Sequence, residues 1–287
     1  MKKFYLVFAA CAALSMNALA QDVQSATLTV GDYDGATSMV EGSYFDVAPT
    51  SFYVAHTGSQ MLYTAEDLAD FADKEEVKVT KLTYRFYNEA FDDITRDVKL
   101  YLQEVDATAF EVIDGVKQFF DFDASAPVLE FEGYYELLDF YGDDGEMEFD
   151  LANAPFEVTP GKGLLVTVIF DAQEDDNCTD GTYVQFYSSG LRNRAMTYTN
   201  NTVSFVDYTE TEDFPKATAT LGCGTSIELP VTKIDYTYVD PIDTGIDEVK
   251  TATATDGAYY NLMGQKLNGN NLPAGIYIHN GKKYIAK

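Results

Sequence analysis

Short stretches of alternating apolar and polar residues are the feature that most limits how this chain folds. Residues 98–103, 147–152 and 183–187 each follow a period of two. That period places successive side chains on opposite faces of a β-strand, so each stretch indicates a strand with one buried face. Turn-forming residues separate the stretches, as in Asp-Asp-Gly at 143–145. A chain with many short strands of this kind folds into packed antiparallel sheets.

Two other stretches sharpen this prediction. Between residues 77 and 87 the apolar phase slips by one position, which predicts a β-bulge near Thr80. The run GLLVTVIF at 163–170 is apolar almost throughout, as expected of a strand at the centre of a core. Only the capping-box-like TAED at 64–67 predicts a helix, of about two turns.

The predicted fold class is therefore all-β: an antiparallel, jelly-roll-like β-sandwich over residues 21–240, followed by a small C-terminal β-hairpin module. We expect one core between two sheets. The predicted core residues are Leu82, Tyr84, Phe86, Leu100, Leu102, Phe149, Leu165, Val168 and Phe186.

Residues 1–20 have the features of a cleavable signal peptide. Two lysines precede an apolar run at 4–14, and Ala-Leu-Ala at 18–20 forms a cleavage site before Gln21. The run is shorter than the roughly 18 apolar residues of a membrane-spanning helix, and no later stretch reaches that length. The sequence thus predicts an exported protein without a transmembrane segment. We expect it outside the cell or on its outer surface, with the periplasm as the alternative.

Two cysteines, Cys178 and Cys223, remain once the leader is removed. In an oxidising compartment such a pair forms a disulfide when the two Cα atoms come close enough. The sequence does not fix that distance, so two separate thiols remain the alternative.

The charge of the chain is strongly negative. Without the leader, 17 basic residues stand against 47 acidic ones, a net charge of −30. A surface of this kind repels phosphate backbones and anionic membranes, which argues against nucleic acid as a partner. The acidic residues alternate with apolar ones, which indicates the solvent face of folded strands.

The C-terminal part has a different character. Residues 241–255 resemble a linker, and the basic segment 256–287 is predicted to form a separate β module. Asn280-Gly281 is the strongest two-residue signal for a hairpin. That turn predicts three cross-strand pairs: Ile276 with Ile285, Tyr277 with Tyr284, and His279 with Lys282.

The same segment carries the motifs YYNLMGQKL and LPAGIYIHNGKKYIAK. In these it resembles the type A sorting domain of the type IX secretion system, found on exported proteins of Bacteroidota. The Pro-Asn-Pro strand that opens full-length members is absent from this sequence. The resemblance implies an address or attachment role and the type IX secretion machinery as a partner; a small structural β module is the alternative.

The main part of the chain also resembles a known type of domain. It carries SQMLYTAE at 59–66, VTKLTYRFY at 79–87, RDVKLYL at 96–102 and GLLVTV at 163–168. In the order and spacing of these segments it is similar to an adhesin-like, carbohydrate-binding-like β-sandwich domain of Bacteroidota surface proteins. The resemblance implies a binding or structural role and transfers no catalytic residues.

The sequence holds no catalytic motif. Its two histidines, His56 and His279, exclude an HExxH zinc site, and the nucleophile motif GxSxG is missing. We therefore expect a protein that is not an enzyme. A glycosidase needs only two carboxylates, but among 47 acidic residues the sequence singles out no pair.

Calcium is a candidate cofactor, because one predicted loop is rich in oxygen ligands. The candidate ligands are Asp171, Glu174, Asp175, Asp176 and Asp180. Their spacing does not follow an EF-hand loop, since Cys178 and Tyr187 fall on ligand positions. A solvated acidic loop is the alternative.

Tyrosines are the candidate ligand-binding residues, because an exposed ring stacks on a sugar. Tyr134, Tyr135 and Tyr141 lie beside an acidic turn, where they form either a ring platform or part of the core. Three functions remain open: an adhesin-like or glycan-binding module, with a glycan or another surface protein as its partner; a structural stalk or surface-layer component; and an accessory domain of a glycan-active enzyme. An acidic, tyrosine-lined concavity at one rim of the sandwich would favour binding.

Overall fold

The computed structural model describes residues 22–40, 47–89, 94–114, 116–120, 128–137, 142–172, 183–201, 223–241, 258–267, 272–279 and 282–286. The predicted signal peptide and most of the predicted linker lie outside these ranges. The chain divides into two compact units, Met1–Pro241 and Ile242–Lys287.

The described residues of the first unit form fourteen strands, which in chain order are β1 (Val23–Val30), β2 (His56–Tyr63), β3 (Glu75–Glu89), β4 (Ile94–Val105), β5 (Val112–Ile113), β6 (Val116–Lys117), β7 (Val128–Leu137), β8 (Asp144–Asp150), β9 (Phe156–Glu157), β10 (Gly163–Ala172), β11 (Tyr183–Phe186), β12 (Ala195–Asn200), β13 (Cys223–Ile227) and β14 (Thr232–Val239). The second unit contains β15 (Tyr259–Tyr260), β16 (Lys266–Leu267), β17 (Gly275–His279) and β18 (Lys282–Ala286).

Twelve of these strands form two six-stranded antiparallel sheets, and β5 and β6 pair with each other as a separate two-stranded sheet. In sheet 1, β1, β14 and β3 lie side by side; β8 and β9 pair with the other edge of β3, and β11 pairs with its end. Sheet 2 has the order β13-β12-β2-β10-β4-β7. Side chains of both sheets share the main hydrophobic core, where the Phe149 ring of sheet 1 lies 6.5 Å from the Phe170 ring of sheet 2. The predicted all-β sandwich is confirmed.

The predicted bulge in β3 is also confirmed. Asp235 of β14 pairs with Lys81 and Tyr236 pairs with Val79, so Thr80 has no partner in that register. The extra residue changes which parity of β3 faces inward. As a result Val77 and Val79, and then Leu82, Tyr84 and Phe86, are all buried.

Leu165 corrects the prediction of a single core. The other predicted core residues belong to the cluster between the sheets, but Leu165 lies on the outer face of sheet 2. Even-numbered residues of β10 point into the sandwich, so Leu165 and Ile169 point outward into a second cluster with Phe110 and Phe119. Gln60 of sheet 2 holds the segment that carries Phe119 against this outer face. Its side-chain amide donates to the Phe120 carbonyl at 3.1 Å and accepts from the Phe120 amide at 2.7 Å.

The predicted two-turn helix is wrong. Residues 65–68 form a turn, followed by a 3-10 helix at Ala69–Phe71. The capping interaction itself is present, because the Thr64 amide donates to the Asp67 carboxylate at 2.7 Å and the Asp67 amide donates to Thr64 Oγ1 at 3.4 Å. Leu68 and Phe71 are both buried in the core, which holds the chain there as a single 3-10 turn in place of a longer helix.

The second unit is a four-stranded antiparallel sheet of order β16-β15-β17-β18. Its last two strands pair in the predicted register, with Ile276 opposite Ile285 and Tyr277 opposite Tyr284. His279 lies opposite Lys282, as predicted. Tyr277 is buried, whereas Ile276 and Ile285 are exposed. The hairpin is therefore part of a small sheet of its own.

Candidate functional site

A solvent-open concavity lies beside β14, where the turn that contains the 3-10 helix crosses the end of the strand. Its volume is about 390 Å³. The lining side chains are Ala69, Asp70, Ala72, Asp73 and Lys74 from the turn, and Tyr236 and Tyr238 from β14. Aromatic rings and charged groups therefore meet in one concave surface.

The turn is fixed in place by contacts behind the concavity. Arg194 donates from Nη1 to the Asp67 carboxylate at 2.8 Å, and the Leu68 amide donates to the Thr64 carbonyl at 3.1 Å. Further on, the Lys74 amide donates to the Phe71 carbonyl at 3.1 Å. The backbone that carries the charged side chains is therefore held at both ends of the turn.

The two tyrosines form the floor and rim of the concavity. Tyr236 is only 4% exposed, and its ring lies 4.7 Å from that of buried Phe71. Tyr238 is half-buried, and its ring lies 5.6 Å from that of Tyr236 at an interplanar angle of 37°. Burial raises the pKa of the Tyr236 hydroxyl, and the nearby Asp70 carboxylate raises it further. The accessible aromatic surface thus belongs mainly to Tyr238.

Lys74 lies over that ring. Its Nζ is 4.8 Å from the Tyr238 ring centroid and 3.1 Å from Asp73 Oδ1. The hydrogen bond to Asp73 raises the pKa of the Lys74 amine above its ordinary value, and the charge of Asp240 adds to this effect. Asp70 and Asp73 are exposed, so the lining carries two acidic groups and one basic group. This surface can stack on a ring and accept hydrogen bonds from hydroxyl or ammonium groups.

The tyrosines predicted as ligand-binding residues do not form one platform. Tyr134 is 68% exposed on the outer face of sheet 2. Tyr135 points the other way, because consecutive strand residues face opposite sides, and its ring lies 6.1 Å from Phe52 and 6.3 Å from Phe170. Burial raises the pKa of Tyr135 to about 12. Tyr141 lies outside the described residues.

The predicted calcium ligands are described only in part. Asp171 is near the end of β10, with its Oδ1 atom 3.0 Å from Nδ1 of His56. Glu174, Asp175, Asp176 and Asp180 lie outside the described residues, as does Cys178; Cys223 begins β13. In the part of the chain that is described, no three His, Cys, Asp or Glu side chains come together as a metal-binding group.

Thermal unfolding with and without millimolar calcium separates a bound ion, which raises the melting temperature, from a solvated loop.

The concavity was not predicted from the sequence. Tyr236 and Tyr238 have the spacing of one strand face, and Asp70 and Asp73 follow a short capping motif. Each segment alone resembles ordinary strand or turn sequence. The two segments lie far apart in the chain, so only the tertiary fold brings their side chains together.

A second polar cluster, on the outer face of sheet 1, is internally paired. Arg85 donates from Nη2 to the Asp144 carboxylate and from Nη1 to the Tyr33 carbonyl at 3.0 Å. The Tyr187 hydroxyl also donates to Asp144, and Arg85 lies 4.3 Å from the Tyr187 ring centroid. These contacts hold the loop after β1 against the sheet, which gives the cluster a structural role.

This cluster predicts loss of stability in acid. Hydrogen bonds from Tyr187 and Arg85 hold the pKa of Asp144 below its ordinary value of 3.8. A carboxyl whose pKa is lowered by folding stabilises the protein above its unfolded pKa, and this stabilisation is lost as the pH falls through the folded pKa. Asp144 is 45% exposed, so solvent screening limits its contribution to about 1 kcal/mol or less.

We expect Asp144→Asn to destabilise the protein at neutral pH and to reduce the decline in the free energy of unfolding below pH 3.8. Denaturant unfolding over a pH series measures both effects. Asp22→Asn, at an exposed position before β1, is the control. Equal pH profiles for the wild type and Asp144→Asn would contradict the assignment.

No protein-family model matches the chain, and no curated protein matches it. Two solved structures of infectious bursal disease virus, of the Gx and Gt strains, align with 77% of the chain at 9% identity and a TM-score of 0.24. The chain covers 41% and 42% of those viral chains. A likeness this weak carries no argument.

Within the described residues, no helix is long and apolar enough to cross a membrane.

Proposed function

We propose that this protein is an exported, non-catalytic binding protein of the cell surface or the secreted fraction, and that it binds a glycan in the concavity beside β14. The observation that carries the proposal is the concavity itself, in which the half-buried Tyr238 ring and the carboxylates of Asp70 and Asp73 share one surface. A pyranose ring stacks on an aromatic side chain, and its hydroxyls donate hydrogen bonds to carboxylates.

The volume of the concavity supports a small ligand or one end of a larger one. About 390 Å³ lies at the lower end of the range for small-molecule sites. The anchored turn supports a preformed site, because little ordering entropy is then lost on binding. Asp70 and Asp73 lie on the same turn, whereas a glycosidase places its two carboxyl groups on either side of the scissile bond, so the arrangement favours binding over hydrolysis.

A structural stalk or surface-layer component is the second candidate function. Such a protein needs neither an anchored turn nor a recessed aromatic ring beside acidic side chains. The concavity therefore favours the binding function.

A glycan array tests the proposal. The mature protein should bind a restricted set of saccharides, and binding should persist without calcium because none of the lining residues is one of the candidate calcium ligands. Tyr134→Ala, which removes a 68% exposed ring on another face, should bind the same set. An array without any bound saccharide would favour the stalk.

We further propose that residues 242–287 serve as an address or attachment element. The segment resembles a type IX sorting domain and has few acidic residues on an otherwise acidic chain. Its described part carries Lys266, Lys282 and Lys283 without any acidic residue. In this proposal the secretion machinery recognises the second unit, while the sandwich carries the ligand site.

Truncation after Asp240 should therefore change where the protein accumulates and leave the sandwich folded. The sandwich unit ends at Pro241 and contains its own core, so its melting temperature should change little. Cell fractionation and thermal unfolding, with the full-length chain at equal expression as the control, measure the two effects. Loss of cooperative unfolding would show that the second unit completes the sandwich, and unchanged location would show that it carries no address.

A further inference from the structure

The Lys74 side chain places an ammonium group inside the concavity. The Lys74 ammonium lies between the Tyr238 ring, 4.8 Å from its centroid, and the Asp73 carboxylate at 3.1 Å. An ammonium group held between an aromatic face and a carboxylate is how proteins bind cationic ligand groups. The geometry of this part of the site is therefore suited to a positive charge.

The surroundings carry more negative charge than Lys74 neutralises. Asp70 is exposed, and among the described residues no cation pairs with it. The charge of the Asp240 carboxylate also acts on the Lys74 ammonium. The lining of the concavity thus carries two carboxylates, of Asp70 and Asp73, and one ammonium, a net charge of −1.

Lys74 is free to leave this position without moving the turn. Its backbone amide is held by the Phe71 carbonyl, while its side chain is 20% exposed and bonds to Asp73, which is 78% exposed. An ion pair at the surface contributes little to stability, because water screens the two charges and the long side chain loses entropy when it is held in place. A ligand ammonium could thus replace that of Lys74 at small cost.

We propose that the Lys74 ammonium holds the place that a ligand ammonium takes on binding, and that the glycan recognised here carries free amino groups. This inference rests on the proposed glycan-binding function. It names the ligand class as amino sugars without N-acetyl groups, whose ammonium lies between the Tyr238 ring and Asp73 while the sugar ring covers the rest of the Tyr238 face beside Asp70. The volume of about 390 Å³ favours a sugar ring over a single lysine side chain, which would fill only the space over Tyr238.

Isothermal titration calorimetry with a glucosamine tetrasaccharide and its fully N-acetylated counterpart, at physiological salt, tests the inference. The mature protein should bind the free-amine form more tightly by about 2- to 30-fold, the range expected for one cation–π contact. Asp73→Asn should reduce this preference, because the ligand ammonium then keeps only the Tyr238 ring and the more general attraction of Asp70. Lys74→Ala should raise the affinity for the free-amine form several-fold more than that for the acetylated form, because only the free amine replaces the lost ammonium beside Asp73.

Lys162→Ala is the matched control. Lys162 forms a similar exposed pair with Asp106, at 2.7 Å, but does not line the concavity. Lys162→Ala and Lys74→Ala each remove one positive charge, so any general attraction of a polycation to this acidic protein increases equally in both variants. A gain in Lys74→Ala that Lys162→Ala does not share supports the inference.

Equal gains in affinity for the free-amine form in Lys74→Ala and Lys162→Ala would overturn the amino-sugar inference. Equal or tighter binding of the acetylated form by the wild type would also overturn it. In both cases the glycan-binding function would stand. Absence of binding to both tetrasaccharides and to every glycan on the array would overturn the proposed function as well. If a lysine-containing peptide binds with the Lys74→Ala gain and neither sugar does, the ligand is a peptide and the amino-sugar assignment is wrong.

Discussion

Replacing Leu100 with alanine should lower the free energy of unfolding by about 2–5 kcal/mol. Leu100 is 0% exposed in β4, in the core between the two sheets. Val168 of β10 lies opposite it on one side and Phe131 of β7 on the other. Neighbours on both sides belong to hydrogen-bonded strands, so they cannot collapse into the space that the missing side chain leaves.

Denaturant unfolding followed by circular dichroism measures this loss. Val112→Ala is the control, because Val112 is 55% exposed in the short β5 strand and should change stability by no more than about 0.5 kcal/mol. A loss below about 1 kcal/mol for Leu100→Ala would contradict the assignment of this face of β4 to the core.

The parts of the fold that could be predicted depend on residues close together in sequence. The slip in alternation near Thr80 predicts a bulge, because the apolar residues before and after it face the same core only if the strand has one extra residue there. The Asn-Gly turn fixes the register of β17 and β18 because a two-residue loop leaves one pairing. Both features are local, and both are present in the structure.

Predictions that needed distant information were less complete. The almost uniformly apolar run at 163–170 places both Leu165 and Val168 in one predicted core, whereas Leu165 lies on the outer face of β10 in a second cluster with Phe110 and Phe119. The capping motif at Thr64 predicts where a turn begins. It does not predict that burial of Phe71 ends the helix after a single 3-10 turn.

The candidate site was beyond sequence reasoning for the same physical reason. Tyr134 and Tyr135 are adjacent in sequence and close to acidic residues, but neighbouring residues in a strand point to opposite faces of the sheet. Tyr238 and Lys74 are distant in sequence and meet only because β14 and β3 are adjacent in sheet 1 and the turn before β3 crosses the end of β14. A surface built from such pairs needs the tertiary fold.

The second large effect concerns ligand binding. Tyr238→Ala should weaken glycan binding by about 1.5–3 kcal/mol, or roughly 10- to 150-fold, because it removes the ring on which the sugar stacks. The sandwich should remain folded, since Tyr238 is half-buried at the margin of the core. Tyr236 is unsuitable for this test because it is 4% exposed and its loss would also destabilise the core.

Isothermal titration calorimetry with the tightest-binding glycan, on the wild type, Tyr238→Ala and Tyr134→Ala, tests most directly whether the concavity beside β14 is the ligand site. Thermal unfolding of each variant confirms that it is folded. We expect Tyr238→Ala to lose most of the affinity and Tyr134→Ala, which removes an exposed ring from sheet 2, to keep it. Full affinity in a folded Tyr238→Ala variant would contradict the account and place the ligand elsewhere.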